Sequence, residues 1–250
     1  MPALSPYKSE LDYAYAPGIF PAMECLLHRA DCARRLLLHT KAAGTEGAEK
    51  LIALAQRHHV RVEEADKALA RVSGKENCFA AVVFTKFQDT LSGEKPHVVL
   101  HNPSDCGNVG TILRTALGFG VEDVALIRPC VDLFDPRVVR ASMGSMFSLR
   151  LRVYDDFARY RADYPAHALY PFMLDGSCSL PEALAEPVPE RYALVFGNEA
   201  LGVDPEAGAE CDGIVSLPMF GAKTSVNVGN CAAAVLYSII EKYQFRSPAK

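Results

Sequence analysis

The sequence predicts an α/β protein in which a parallel sheet with helices on both faces is preceded by a smaller α/β unit. From residue 96 onward short apolar runs alternate with helical patterns, the order that builds parallel sheets. The run HVVLH is continuously apolar at its centre, as strands covered on both faces are. Residues 21–85 repeat a helix–strand alternation on a smaller scale, and the aperiodic stretch 88–95, with Ser-Gly before Pro96, separates the two parts. These boundaries give an N-terminal domain 1–87, a linker 88–95 and a second domain 96–250.

The chain has 250 residues, 50% hydrophobic, and a formal net charge of −4, a globular composition that does not favour nucleic acid as a partner of the whole surface. The balance is uneven, because residues 1–87 hold 12 Lys and Arg against 10 Asp and Glu. Eight cysteines without C-x-x-C or ordered His/Cys spacing fit buried reduced thiols better than disulfides or a metal site. The opening MPALSPYKSELDY is polar and mixed, so the expectation is a cytoplasmic protein with no metal and no membrane association.

Taken in order, Pro21 to Thr40 places Met23, Leu26, Leu27, Ala30 and Arg34 at helical spacing before an LLL run: a helix feeding a short strand. Gly47 to His59 is a second helix with Leu51, Ile52, Leu54 and Ala55 inward. Val60 to Glu64 is a short strand, Asp66 to Val72 a small helix with Asp66 as its cap, and Cys78 to Thr85 a buried strand. Arg29, Arg34, Arg35, Lys41, Arg57 and Arg61 are either phosphate contacts or a solvated face.

The second domain opens with HVVLHN and continues PSDCGNVGTILRTALGFG. Asn108 is placed to cap a helix whose buried face is Val109, Ile112, Leu113, Ala116 and Leu117; Thr111, Arg114, Thr115 and Gly118 form a neighbouring stripe on which the arginine is open to a ligand. The G-x-G-x-x-G of dinucleotide-binding folds is absent, which sets a Rossmann dehydrogenase aside. There follow a strand VEDVALI, an irregular stretch with Arg128, Arg137 and Arg140, a strand SLRLRVY, a helix DDFARYRADY, a strand ALYPFML, a proline-rich surface loop PEALAEPVPE and a strand RYALVFGN. The last element runs from Leu217 to Tyr243: an apolar approach, a turn built on Gly221, and a helix that starts polar at Ser225 and Asn227. Its buried face is Val228, Ala232, Val235, Leu236, Ile239, Ile240 and Tyr243, while Asn227, Asn230, Ala234 and Glu241 lie opposite. Thr224 to Ile240 carries no charge, but two asparagines and two serines argue against a membrane span.

Three segments end strands in glycine and amide residues: GNVGTILR after HVVLHN, FGNEALGV after RYALV, and LPMFGAKTSVNV after GIVS. Ligands of open parallel sheets bind outside the carboxyl ends of strands, so three such ends imply one composite pocket. In this order the three segments resemble the motifs of the SpoU/TrmH family of RNA 2′-O-ribose methyltransferases in the SPOUT superfamily, over roughly residues 96–245. The resemblance implies a C-terminal trefoil-knotted domain that holds S-adenosylmethionine between the second and third motifs. Carried over by position, it implies a catalytic set of Asn108, Arg114, Glu199, Ser225 and Asn227, and cofactor contacts at Gly197, Leu217 and Val226, with Val195 and Met219 beside them. Val226 stands where leucine is commoner, and Gly229, Asn230 and Cys231 replace a usual Ser/Ala-Val-Ala run. The N-terminal unit resembles the ribosomal-protein-like RNA-binding domain of many members. The implied substrate is RNA, rRNA before tRNA, and the implied assembly is a homodimer through the knotted domain. Competing readings are an RNA-binding relative without catalysis and an unrelated nucleotide-binding enzyme.

Overall fold

The structure, a computed structural model, describes residues 4–73, 78–174, 176–209, 211–219 and 226–242. It divides into two compact units, 1–87 with 132–148, and 88–131 with 149–250.

The first unit contains β1 (Tyr13–Pro17), α1 (Ile19–His28), β2 (Ala33–Leu38), α2 (Glu46–Arg57), β3 (Arg61–Glu64), α3 (Asp66–Ser73) and β4 (Ala80–Thr85). Its sheet has the order β1-β4-β2-β3, with β4 antiparallel to both neighbours and β3 parallel to β2. Strand β1 is an element that the sequence reading lacked: in YAYAP small alanines alternate with tyrosine, and Ala14, Tyr15 and Ala16 are all buried, so no polar alternation marks it. Thr45 caps α2 by accepting from Ala48 N. Asp66 opens α3, but its carboxylate accepts from Thr40 N and Oγ1 at 2.8 and 2.6 Å and so ties α3 to the turn after β2.

The second unit follows as β5 (His97–His101), α4 (Cys106–Gly118) and β6 (Asp123–Ile127). The chain then enters α5 (Pro136–Ala141), which belongs to the first unit, before returning to the second as β7 (Arg150–Tyr154), α6 (Phe157–Asp163) and β8 (Ala168–Phe172). It ends with β9 (Cys178–Ser179), α7 (Leu180–Ala183), β10 (Tyr192–Phe196), α8 (Pro205–Ala209), β11 (Val215–Ser216) and α9 (Val228–Ile240). The seven strands are parallel in the order β7-β6-β5-β10-β8-β11-β9. Strand β10 thus inserts between β5 and β8, and β11 between β8 and β9. The predicted surface loop PEALAEPVPE starts inside α7, whose Glu182 carboxylate accepts from Ser179 N at 2.8 Å in a capping box.

The arginine-bearing stretch assigned from sequence to the second domain lies in the first unit from 132 to 148. There Phe134, Val138, Val139, Met146 and Phe147 are buried, and Phe84 meets Phe134 and Phe147 edge-on at 6.0 and 5.0 Å. Gly144 is required in this seam: its φ is +86°, and a Cβ would lie 2.8 Å from Glu24 Cβ.

Residues 88–95 are aperiodic, as read, yet they are fixed to the second unit. Leu91 is buried in a core cluster with Tyr160, Tyr164 and Leu169. Asp89 N donates to Leu151 O while Leu151 N donates to Asp89 Oδ2, and Ser92 N donates to the buried Asp123 carboxylate. His97 completes the seam, with Nε2 against Ser92 O at 2.7 Å and Nδ1 against the Tyr160 hydroxyl at 2.9 Å.

Candidate active site

The site grows from the loop after β10. Asn198 and Gly202 exchange backbone hydrogen bonds of 2.9 Å, so the chain doubles back directly on leaving the sheet. A Cβ on Gly197 would lie 2.1 Å from Gly202 C, leaving room for no side chain, and Gly202 supplies a φ of +73°. Asn198 Oδ1 accepts from Ala200 N and Leu201 N, and its Nδ2 donates to Asn102 O at 2.8 Å. The glycines and Asn198 of FGNEALG therefore build the turn, and Glu199 is the group the turn presents.

The Glu199 carboxylate accepts from Ser104 Oγ at 2.6 Å, Ser104 N at 3.2 Å, Asp105 N at 3.3 Å and Asn108 Nδ2 at 3.0 Å. Partial burial pushes its pKa up, but the bonds from Asn108 and Ser104 outweigh burial and hold it below the usual carboxylate range. Helix α4 is capped by Asp105, which accepts from Asn108 N at 2.7 Å, and not by Asn108 as the sequence suggested. This correction has a consequence: the Asn108 side chain is free to face the loops. Its Oδ1 accepts from Asn227 Nδ2 at 2.8 Å, and Asn227 Oδ1 caps α9 by accepting from Gly229 N at 2.9 Å. The direction of every bond is dictated. An ionised carboxylate only accepts, so Asn108 must present its amide NH₂ to Glu199 and its oxygen to Asn227, whose own oxygen is left for the helix.

Helices α4 and α9 run side by side in the same direction: Asn108 meets Asn227 at their starts, and Phe119 meets Tyr237 toward their ends. Of the predicted buried faces, Val109, Ile112, Leu113 and Ala116 on α4 and Ala232, Val235, Leu236 and Ile239 on α9 are buried; Leu117, Val228 and Ile240 are half-buried. Gly229 is buried, and a Cβ there would approach Asn227 Oδ1 to 3.1 Å and Thr111 Cγ2 to 3.4 Å, so its smallness admits the Asn227 cap.

Beside this relay is a cavity of about 650 Å³, within the range of small-molecule sites. Phe172 and Phe196, stacked at 5.1 Å, line it together with Gly197, Leu217, Met219 and Val226. Leu201 and Leu174 on its lining are 86% and 63% exposed, apolar surface that a bound molecule would cover.

The structure thus joins Asn108, Glu199 and Asn227 by hydrogen bonds and sets Gly197, Leu217, Met219 and Val226 around the same cavity. Arg114 is exposed on α4, does not line the cavity, and among the described residues has no hydrogen bond or ion pair. Val195 is not a wall residue: it is fully buried in the sheet core with Val99 and Ala125. Ser225, with Gly221, lies outside the described residues, as does Tyr243. Sequence reading missed Ser104, Asn198, Leu174 and Leu201. Asn198 and Leu201 both stand inside FGNEALG, Asn198 as a turn-former; Ser104 and Leu174 carry no local signal. Among the described residues no group of three or more His, Cys, Asp or Glu is placed to hold a metal ion, and no helix is long and apolar enough to cross a membrane.

Fold and site put the second unit among the parallel α/β domains that gather a ligand pocket from loops at the carboxyl ends of their strands. More particularly, the chain belongs to the SpoU rRNA Methylase family, whose model matches residues 95–237, more than half of its length. It is 31% identical over 152 residues to the 23S rRNA (uridine(2479)-2′-O)-methyltransferase of Streptomyces viridochromogenes, an alignment covering 58% of this chain and 52% of that one. The chain spans about half the length of the curated relatives it matches. Among solved structures, a putative RNA methyltransferase of the TrmH family from Porphyromonas gingivalis superposes with a TM-score of 0.76 at 28% identity, covering 94% of this chain and 91% of the other. The SpoU methyltransferase AviRb from S. viridochromogenes, solved in complex with the cofactor AdoMet, superposes with a TM-score of 0.76 over 92% and 90% of the two chains; at 24% identity that likeness is one of fold.

Proposed function

We propose that the protein is an S-adenosylmethionine-dependent methyltransferase that methylates a ribose 2′-hydroxyl in ribosomal RNA. The observation that carries this is the Glu199–Asn108–Asn227 relay, which fastens the three motif segments together at the edge of one cavity. Family membership and a relative named for rRNA 2′-O-methylation support the reaction and the substrate.

The cavity suits the cofactor. Its volume is adequate, its wall offers Leu217, Met219, Val226 and Leu201 to apolar parts, and at Gly197 the backbone is bare of any side chain. When bound, S-adenosylmethionine supplies a methyl on a sulfonium; the ribose oxygen takes the methyl, the carbon–sulfur bond breaks, and the hydroxyl proton is released. The nucleophile is a neutral alcohol, so the protein's task is to orient it and ease loss of its proton. A guanidinium such as that of Arg114 is a poor base. Arg114 holds the target ribose and its phosphate and lowers the hydroxyl's effective pKa, while a phosphate oxygen or water accepts the proton. Asn108 and Asn227, set by Glu199, orient the ribose, and Ser225 completes this group.

The same reading includes a trefoil knot formed where β10 and β11 insert between earlier strands, RNA affinity supplied by the first unit, a homodimer through the second, and action in the cytoplasm. Supporting the dimer, α9 exposes Tyr237, which is 52% accessible, on a helix that carries no charged residue from Val228 to Ile240.

The test is methyl transfer from labelled S-adenosylmethionine to rRNA and, separately, to tRNA, followed by mapping of ribose methyls. Transfer to rRNA is expected; transfer only to tRNA replaces the substrate, and none to either overturns the reading. Arg114→Ala is expected to abolish transfer with cofactor affinity changed by no more than a few fold, because Arg114 lies off the cavity wall.

A further inference from the structure

We infer that Ser104 is a positioning residue for methyl transfer: its hydroxyl locks the Glu199 carboxylate in the one rotation that keeps Asn108 and Asn227 aligned. The inference rests on the function proposed above, and its geometry stands without it.

Each oxygen of Glu199 has its own pair of donors. Oε1 takes Asn108 Nδ2 at 3.0 Å and Asp105 N at 3.3 Å; Oε2 takes Ser104 Oγ at 2.6 Å and Ser104 N at 3.2 Å. The serine hydroxyl makes the shortest of the four, in the range of charge-assisted O–H···O⁻ bonds. The remaining bond to Oε2 is a longer backbone one. The terminal torsion of a glutamate side chain is broad and has no steep minimum of its own. Without the hydroxyl, nothing strong holds Oε2, and rotation carries Oε1 off the Asn108 amide. Asn108 is then free to flip, and its oxygen leaves Asn227. The error therefore travels from Ser104 to two side chains it does not touch.

Ser104 is exposed and lies outside the cavity lining, so it acts through Glu199 and not on a ligand. Asp105 cannot replace it. Its carboxylate is engaged by Asn108 N at 2.7 Å and offers only acceptors toward another carboxylate. The sequence PSDCGN contains the residue but gives no sign of this partner, which is 95 positions away.

The experiment uses the full chain with Ser104→Ala and Ser104→Thr. For Ser104→Ala we expect kcat to fall about tenfold, the scale of one hydrogen bond to a charged group, with KM for S-adenosylmethionine and its calorimetric affinity within twofold and the melting temperature lowered by only a few degrees, the stability the lost bond to Glu199 supplied. Ser104→Thr, which keeps the hydroxyl, should restore kcat to within about threefold. A second readout needs no activity: the Glu199 carboxyl carbon, followed by NMR, should titrate at higher pH in Ser104→Ala and as in wild type in Ser104→Thr. An unchanged kcat and titration in Ser104→Ala, or failure of threonine to restore them, overturns the inference. So does a loss of cofactor affinity as large as the loss of kcat. If the wild-type protein transfers no methyl, the function reading fails by itself, and the titration alone decides whether Ser104 positions Glu199.

Discussion

Asn227 Nδ2 donates to Asn108 Oδ1 at 2.8 Å and joins the first turns of two helices that lie 119 residues apart in the chain. Neither asparagine is engaged by one neighbour only. Asn108 also answers Glu199, and Asn227 also caps α9, so the pair couples the loop after β10 to the start of the last helix.

The pair should therefore behave as a unit. Asn108→Ala and Asn227→Ala are each expected to lower kcat, and the double variant to lose little more than the worse single. A coupling of about 1–2 kcal/mol is the usual scale for partners in one hydrogen-bond network. Single and double variants measured under saturating cofactor complete the cycle. Additive losses would mean that the two asparagines act separately.

Gly197→Ala tests the loop. The added Cβ would sit 2.1 Å from Gly202 C and 2.4 Å from Val203 N, both backbone atoms, so the Asn198–Gly202 reversal must open. Overpacking of this kind costs about 1–3 kcal/mol, and because Gly197, Ala200 and Leu201 of this loop line the cavity, opening the loop should lower cofactor affinity. Gly202→Ala meets no atom within 4 Å and carries only the strain of its φ, +73°, about 1–2 kcal/mol. Calorimetric titration with cofactor should rank Gly197→Ala well below Gly202→Ala, and equal values would remove the steric argument.

Much of this was legible in the sequence, and the parts that were not share a cause. The apolar runs of β5, β6 and β10 and the buried faces of α4 and α9 show in local spacing because each element meets the same environment along its length. Strand β1 hid because alanine and tyrosine are both buried there. The cap of α4 was misread because Asp105 and Asn108 are both good caps three residues apart, and what decides between them is Glu199, distant in sequence. Val195 lies two residues before Gly197 in an extended strand, close along the chain but inside the core. Residues 132–148 have too little periodicity to reveal that their aromatic rings belong against Phe84.

Stability should fall in mild acid because of His97. Ser92 O can only accept, so His97 Nε2 carries the proton and Nδ1 accepts from the Tyr160 hydroxyl, which fixes a neutral ring. Burial, opposed by the bond to Ser92 and aided by His167 stacked at 4.2 Å, pushes its pKa down to about 4 from 6.5. The unfolded ring binds a proton below 6.5 and the folded ring only near 4, so stability decreases as pH falls through that window, by about 3 kcal/mol at its end. Asp123 and Arg150, paired with each other at 2.5 Å, also face the ring and act on it in opposite directions. Denaturation between pH 7 and 4 should show this slope in wild type and a shallower one in His97→Gln. Identical slopes would place the acid sensitivity elsewhere.

Division of labour between the units makes a prediction that depends on where the first one ends. A fragment 88–250 keeps Phe134, Val138, Val139, Met146 and Phe147, which are buried within the first unit, and strips away their partners in β1 and β4. Fully burying such a side chain is worth about 1.5–3 kcal/mol, so this fragment should aggregate. Replacing 132–148 in it by a glycine–serine linker should restore solubility and cofactor binding. That trimmed fragment isolates the second unit, with 12 Lys and Arg against 18 Asp and Glu, a poor long-range field for a polyanion. If the first unit supplies RNA affinity, the trimmed fragment should methylate with a raised KM for RNA, falling further with salt, while kcat changes little. Steady-state kinetics on the full RNA at low and high salt decide the point: an unaltered KM at both would make the first unit a structural or partner module, and a soluble, active untrimmed fragment would contradict the boundary itself.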